Sequence, residues 1–307
     1  MWFKNLVVYR FGAEWTVSLA DLEDRCAQFS LQPCGAFDMQ TRGWVHSSVL
    51  KRYVHSTNGQ HLIALGMEQK LLPASIIRQV TAERAIDLEQ QQGYPVGRRQ
   101  MRELKERVTE ELRARALTRR TTTYAWIDPI NRWLVVDAAG GARSDAVIDT
   151  LRDTLGGSLP VTFLEVEKAP HSSMASWLML GEAPGNFTIE QDLELQSVDQ
   201  SKATIRYARH PLDGKEIRAH LEGGMYVTRL GLTWRDRLSF VLTDKLQIKR
   251  VEFLGVDKEK SEDGAEISPE EQFDMDFALM SGELARMLAE LTEVLGGEGK
   301  RQQAAAA

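Results

Sequence analysis

Cysteine is nearly absent from this chain. Two occur in 307 residues, Cys26 and Cys34. That is too few for a disulfide framework and fits a reducing compartment. Histidine is equally sparse. Six are scattered along the chain, and no CxxC or HExxH spacing is present, so a zinc or other metal site is not expected. No apolar run approaches the ~20 residues that span a bilayer. The opening MWFKNLVVYRF has neither the long apolar stretch nor the small-residue cleavage site of a signal peptide. No GxxxxGK loop followed by Ser or Thr is present to cradle a nucleotide phosphate. The composition, 43% hydrophobic and 27% charged, is that of an ordinary globular protein. A chain of 307 residues can bury a large core divided into two or three regions.

What the chain does have is segregated charge. The formal balance is −6 overall, yet residues 202–250 carry eleven Lys or Arg against five Asp or Glu. Residues 98–120 carry nine against four, and 251–307 carry five against fourteen. A mildly acidic chain that keeps this segregation when folded presents a strongly positive surface. Within 225–235 the alternation puts Tyr226, Thr228, Leu230, Leu232 and Trp234 on one, core-like strand face. Val227, Arg229, Gly231, Thr233 and Arg235 fall on the other. There two guanidiniums flank a glycine that leaves the backbone approachable, which suits a polyanion. Taken alone, the strand favours a solvated sheet face balanced by nearby acids, because antiparallel sheets commonly have one wet face.

In chain order, 2–11 reads as a strand. An amphipathic helix follows from a Ser18 cap to Phe29, with Leu19, Leu22, Cys26 and Phe29 on one side; Cys26 there is a small buried hydrophobe. Residues 61–72 read as strand up to Pro73. Helices over 75–92 and 98–116, split by Gly93-Tyr94-Pro95-Val96-Gly97, form a hairpin inserted between strands. Met101, Leu104, Val108 and Leu112 make its apolar seam. Arg98, Arg102, Lys105 and Arg113 flank that seam, and Glu103, Glu106 and Glu110 lie away from both. Pairs Glu103–Arg107 and Glu111–Arg115 are expected at i,i+4. Arg115, Arg119 and Arg120 form a basic exit. Pro129-Ile130-Asn131 joins two strands as a hairpin. Its Asp128, and Asp137 beyond, read as strand-end acids rather than a metal pair. A helix over 144–155 ends at Gly156-Gly157, a strand covers 159–166 and a helix covers 171–180. Residues 257–268 read as a loop. Ser268-Pro269-Glu270-Glu271 opens a long helix whose Phe273, Phe277, Met280, Leu284, Met287, Leu291 and Val294 step 4-3-4-3-4-3. Packing on its own sheet is the default for that stripe, and another subunit is the alternative. The tail GGEGKRQQAAAA reads as frayed.

The fold class expected from this pass is α+β: mixed antiparallel sheets with a helical-hairpin arm and a long C-terminal helix. The expected regions are 1–74 plus 121–170, the arm 75–120, and 171–307.

Several motifs, in order over nearly the whole chain, carry a resemblance. They are MWFKNLVVYR, PCG followed by GWV, LLPASII, WID with VVDAA, LGGSLP, LGLTW, and DFALMSGELARMLAELTEVLGGE. Together they resemble the bacterial recombination-associated RdgC family. The resemblance implies a cytoplasmic, nucleoid-associated DNA-binding protein without catalytic activity or cofactor. It implies a ring-shaped homodimer with a positively lined hole that encircles duplex DNA with little sequence preference and restrains the recombinase RecA. Leu117, in the segment leaving the arm, stands where an aromatic wedge against DNA would be sought.

The candidate DNA-binding residues are then Arg98, Arg102, Lys105, Arg113, Arg115, Arg119 and Arg120 in the first tract. In the second they are Lys202, Arg206, Arg209, His210, Arg218, Arg229 and Arg235. The arm's seam and the heptad helix offer surfaces for subunit contacts, and acids after 257 would face outward. Two rivals stand beside this reading. A metal-dependent nuclease needs clustered acids. A protein-binding adaptor would use the acidic C-terminal region.

Overall fold

The computed structural model describes residues 2–12, 15–255 and 268–299. Twelve strands share one sheet. In chain order they are β1 (Leu6–Phe11), β2 (Gln40–Val45), β3 (Val54–Thr57), β4 (Gln60–Lys70), β5 (Thr118–Asp128), β6 (Trp133–Asp137), β7 (Val161–Phe163), β8 (Phe187–Ser197), β9 (Thr204–Tyr207), β10 (Met225–Trp234), β11 (Leu238–Thr243) and β12 (Ile248–Phe253). The helices are α1 (Leu19–Gln28), α2 (Ala74–Gln92), α3 (Arg98–Arg115), α4 (Gly141–Thr154), α5 (Pro170–Leu180), α6 (Lys215–Glu222) and α7 (Pro269–Val294). The strand order is β2-β4-β5-β6-β1-β12-β11-β10-β8-β9, with β3 on β4 and β7 on β1. Every strand pair in the sheet is antiparallel. The expected α+β class holds, but one continuous sheet replaces the several expected.

Continuity across the middle is thin. β1 and β12 share one ladder pair, Leu6 opposite Ile248, extended by a bond from the Val251 amide to the Lys4 carbonyl at 2.8 Å. α7 braces that seam. Ser268 and Glu271 form the capping box read from the sequence. Phe277, Met280, Leu284, Met287 and Leu291 are buried against residues of both sheet halves, among them Leu6 and Trp126 on one side and Leu230 and Phe240 on the other. The Phe3 amide donates to Met280 Sδ at 3.2 Å. Near the helix start, Asp274 meets His55 of β3 at 2.9 Å, and Phe273 and Phe277 turn towards the same ring. The heptad stripe therefore packs on its own sheet.

The opposite face of the first half carries α1 and α4. Leu22, Cys26, Val147 and Leu151 meet Val7, Ile63, Ile127 and Val136 there. β1 is apolar on both sides because both are covered. Ser18 caps α1 by accepting from the Asp21 amide at 3.1 Å. Leu22 and Cys26 are buried, whereas Leu19 and Phe29 stay 40% and 41% exposed, so the helix buries a narrower stripe than its pattern indicates. Burial pushes the Cys26 thiol up to about 12, as befits an inert core thiol.

The arm has a core of its own. Leu104 and Val108 of α3 pack on Ala85 of α2, with Val80, Val96 and Leu112 around them. Gly93 ends α2 in the left-handed region at φ 78°, where glycine carries no Cβ penalty. The seam is thus consumed inside the hairpin rather than kept for another subunit, and Met101 lies half outside it at 37% exposure.

Other expectations change. The strand over 159–166 shrinks to Val161–Phe163. Residues 296–299 are ordered: Val166 and Glu298 form a bridge, and the Gly299 amide donates to the Glu165 carbonyl at 2.9 Å. Of the expected loop 257–268, Ser268 caps α7 and residues 257–267 lie outside the described residues, as does the expected tail from 300 onward.

Leu284→Ala removes a side chain with no exposed area, and the expected loss is about 3 kcal/mol. Met275→Ala, at a 56% exposed position of the same helix, should change stability by less than ~0.5 kcal/mol. Urea denaturation followed by circular dichroism checks both; equal effects would contradict the brace.

Candidate nucleic-acid interface

Strand β8 changes the electrostatics of the second basic tract. Its sequence, FTIEQDLELQS, alternates Thr188, Glu190, Asp192 and Glu194 against Phe187, Ile189, Leu193 and Leu195. β8 lies between β9 and β10, so its acids stand beside the arginines of both. Glu194 pairs with Arg206 at 2.6 Å and with Arg229 at 3.6 Å. Asp192 pairs with Arg250 at 2.9 Å and accepts from the Arg209 amide at 3.3 Å. Burial alone would raise the Glu194 carboxyl. Hydrogen bonds from Thr228 and Arg206 and the Arg229 charge outweigh it and hold the group below its ordinary range.

The strand faces also differ from the simple alternation. β10 pairs β8 with register shifts between Val227 and Arg229 and between Leu230 and Leu232. The first shift, two residues of β10 against one of β8, resets which side chains of β10 point inward, whereas Leu230, Leu232 and Trp234 keep one phase across the second. Val227 joins the core with Leu230, Leu232 and Trp234, while Tyr226 is only half-buried and Thr228 donates to the Glu194 carboxylate at 2.9 Å. Gly231 is buried. A Cβ there would meet Cβ of Glu190 at 3.1 Å and of Asp192 at 3.2 Å. The glycine admits the acids of β8, not a polyanion.

The remaining candidates of this tract are mixed. Arg235 lies over the Trp234 ring at 4.9 Å and 3.3 Å from Glu290 of α7. His210 Nδ1 is 2.7 Å from the Pro211 carbonyl. Lys202 and Arg218 are exposed, and no carboxylate among the described residues pairs with either. Acids of α7 do not all face outward. Glu283 is 4% exposed and meets Arg237 and Arg286. Glu290 accepts from Asn186 and from Trp234 Nε1.

The arm keeps more free charge. Arg102 pairs with Glu106 at 3.2 Å, Arg99 with Glu103 at 3.0 Å, and Arg84 of α2 with Glu111 at 2.7 Å. These replace the expected Glu103–Arg107 and Glu111–Arg115 pairs. Glu106 and Glu110 share a groove with Arg102, Lys105, Thr109 and Arg113, so the acids are not set apart from the basic flank. Arg98, Lys105, Arg107, Arg115 and Arg119 are exposed, and none has a salt-bridge partner among the described residues. Arg119 and Arg120 belong to β5 rather than to a loop leaving the arm. Arg120 pairs with buried Glu68 of β4. That contact and the Cys34 amide hold the Glu68 carboxyl below its usual range. Half-buried Arg113 donates to the Phe37 carbonyl at 3.4 Å.

The two tracts do not meet within one chain. β5 is third in the sheet and β10 and β9 are eighth and tenth, which at ~4.8 Å per strand separates them by roughly 24–34 Å along the sheet.

The acids that matter for a nuclease are committed elsewhere. Asp128 accepts from the Ile130 and Asn131 amides at 3.0 and 2.9 Å and from the Asn131 side chain at 2.7 Å. Asp137 accepts from the Lys4 and Asn5 amides, and burial raises its carboxyl pKa despite them. Among the described residues no three His, Cys, Asp or Glu side chains group so as to hold a metal ion, and no helix is long and apolar enough to cross a membrane.

Fold and surface together define an α+β protein that presents cations on a projecting helical hairpin while its carboxylates fasten the sheet. The family whose description reads "Putative exonuclease, RdgC" matches residues 1–298. Curated proteins named "Recombination-associated protein RdgC" align over almost the whole chain. That of Cupriavidus pinatubonensis is 50% identical, covering 98% of this chain and 100% of its own. That of Dechloromonas aromatica is 48% identical over 97% and 98%, and that of Bordetella pertussis 46% over 97% and 99%. The chain belongs to the RdgC family of recombination-associated proteins.

Because Glu194 is depressed in the fold, its stabilisation is complete above the ordinary carboxylate pKa of ~4.3 and is lost as pH falls through the folded value. Glu194→Gln should therefore cost ~2 kcal/mol at pH 7 and progressively less below about pH 4. Denaturation midpoints across that range check it; a deficit independent of pH would contradict the ion-pair assignment.

Proposed function

We propose that the protein is a non-catalytic, sequence-independent DNA-binding protein of the cytoplasm and nucleoid. It acts as a ring-shaped homodimer around duplex DNA and limits RecA access to DNA in homologous recombination. The observation that carries the reading is the unneutralised charge of the arm, where Arg98, Lys105, Arg107 and Arg115 project from α3. Such groups bind phosphates by releasing condensed counterions, and the term is blind to sequence.

A twofold axis doubles each basic tract. A closed dimer then sets four cationic surfaces around one passage, which answers the separation of the tracts within a chain. Occlusion follows: DNA held by the dimer is withheld from a recombinase that must polymerise on it. No cofactor takes part. Asp128 and Asp137, committed to backbone amides, favour this over a nuclease. The inward engagement of Glu283 and Glu290 favours it over an adaptor that uses the acidic region.

Affinity for random-sequence duplex, titrated with salt, tests the reading. Log K should fall steeply with log salt at ~0.9 per neutralised phosphate. Arg98→Gln with Lys105→Gln removes two cations from each of two copies and should lower that slope by up to about 3.6 per dimer, whereas Arg229→Gln, already paired with Glu194, should leave it nearly unchanged. Absence of binding at low salt would overturn the proposal, and magnesium-dependent cutting would favour the nuclease.

A further inference from the structure

Among the described residues the most exposed large apolar side chain is Phe37, at 82%. A single exposed phenylalanine on a slack loop needs no explanation. This loop is fastened. Lys70, only 5% exposed, donates from Nζ to the carbonyls of Gly35 at 2.6 Å and Ala36 at 3.1 Å. The Cys34 amide donates to Glu68 Oε1 at 3.1 Å, and the Lys70 amide to the Met39 carbonyl at 2.9 Å. The loop's one carboxylate, Asp38, closes its turn on the Gly35 amide at 2.9 Å. An ammonium buried on two carbonyls is costly unless both bonds are kept, so the loop is held in one shape with its ring in solvent.

Two guanidiniums are tied to the same loop. Arg113, from the end of α3, binds the carbonyl of Phe37 itself. Arg120 binds Glu68, which also holds Cys34. The place is the foot of the basic arm, where β2, β4 and β5 run side by side and Gln40, Gln69 and Arg119 stand in register. A rigid aromatic face beside the exposed Arg119, which has no salt-bridge partner among the described residues, is the composition of a nucleobase platform: bases stack on the ring while that guanidinium holds a neighbouring phosphate, and Arg113 and Arg120, engaged with the Phe37 carbonyl and Glu68, fix the loop. The charge makes nucleic acid the occupant in preference to an apolar protein surface.

We infer that Phe37 is a stacking platform for an unpaired or extruded nucleobase of the DNA held along the arm. The inference rests on the DNA-binding reading and adds a preference to it: DNA containing unpaired bases binds more tightly than perfect duplex. A stacked base of this kind contributes about tenfold in affinity.

The test compares a perfect duplex with the same duplex carrying a short unpaired bubble, with 2-aminopurine in the bubble as a stacking reporter. The full-length protein should bind the bubble about tenfold more tightly and quench the reporter. Phe37→Ala, at a solvent-exposed position, should abolish both preference and quenching while leaving duplex affinity and its salt slope unchanged. Phe37→Trp should restore both. Equal bubble-to-duplex ratios for the full-length protein and Phe37→Ala, with duplex binding intact, would overturn this inference alone. No binding of either DNA would overturn the DNA-binding reading and this one with it. A fall in oligomeric mass in Phe37→Ala with an unchanged ratio would assign the ring to contacts between copies and overturn the platform.

Discussion

The fold depends on the burial of one helical stripe across a weak seam. β1 and β12 share a single ladder pair, too little to hold two half-sheets in register. α7 supplies the rest. Six apolar side chains from Phe277 to Leu291 are almost wholly buried, each contributing about 2 kcal/mol of transfer free energy, and they touch both halves at once. The contacts of Asp274 with His55 near one end and of Glu290 with Trp234 and Asn186 near the other fix the helix lengthwise. Remove the stripe and the sheet has a hinge at its centre.

Charge follows from that packing. Among the described residues, helices cover one face of the second half-sheet. On the other, solvent-exposed face Arg206, Arg229 and Arg250 find the acids of β8. These pairs consume cations that the linear count makes available. The arm is different because it projects on its own small core and its acids are fewer than its bases. Partial neutralisation of the sheet and free charge on the arm therefore come from one rule: cations are neutralised where strand neighbours supply carboxylates, and stay free where the chain leaves the sheet.

Much of the fold was legible. The Ser268 capping box, the 4-3-4-3-4-3 stripe, the Ser18 cap and the Gly93 break each state a local rule that the fold obeys. The charge tracts were legible as counts but not as surfaces. Counting from residue 202 left β8 outside the window, although its alternation of acid and aliphatic residues is as regular as that of β10. The phase of β10 was not legible, because its register shifts arise from pairing with β8 and leave no mark in periodicity. Salt-bridge partners on α3 were misassigned by i,i+4 geometry alone: Glu111 turns to Arg84 on a neighbouring helix, a tertiary choice. Phe37 carried no signal as a surface group, since its exposure is set by Lys70, more than thirty positions away.

The central claim is that two copies of this chain close around duplex DNA. The most direct measurement is retention on closed circular against linear DNA of the same sequence, at rising salt, with protein of known mass in solution. Encirclement by a dimer predicts that closed circles keep the protein at salt concentrations that strip it from linear fragments, and that cutting the circle once releases it. Equal loss from circles and linear fragments would contradict the ring and leave a surface that binds DNA from one side.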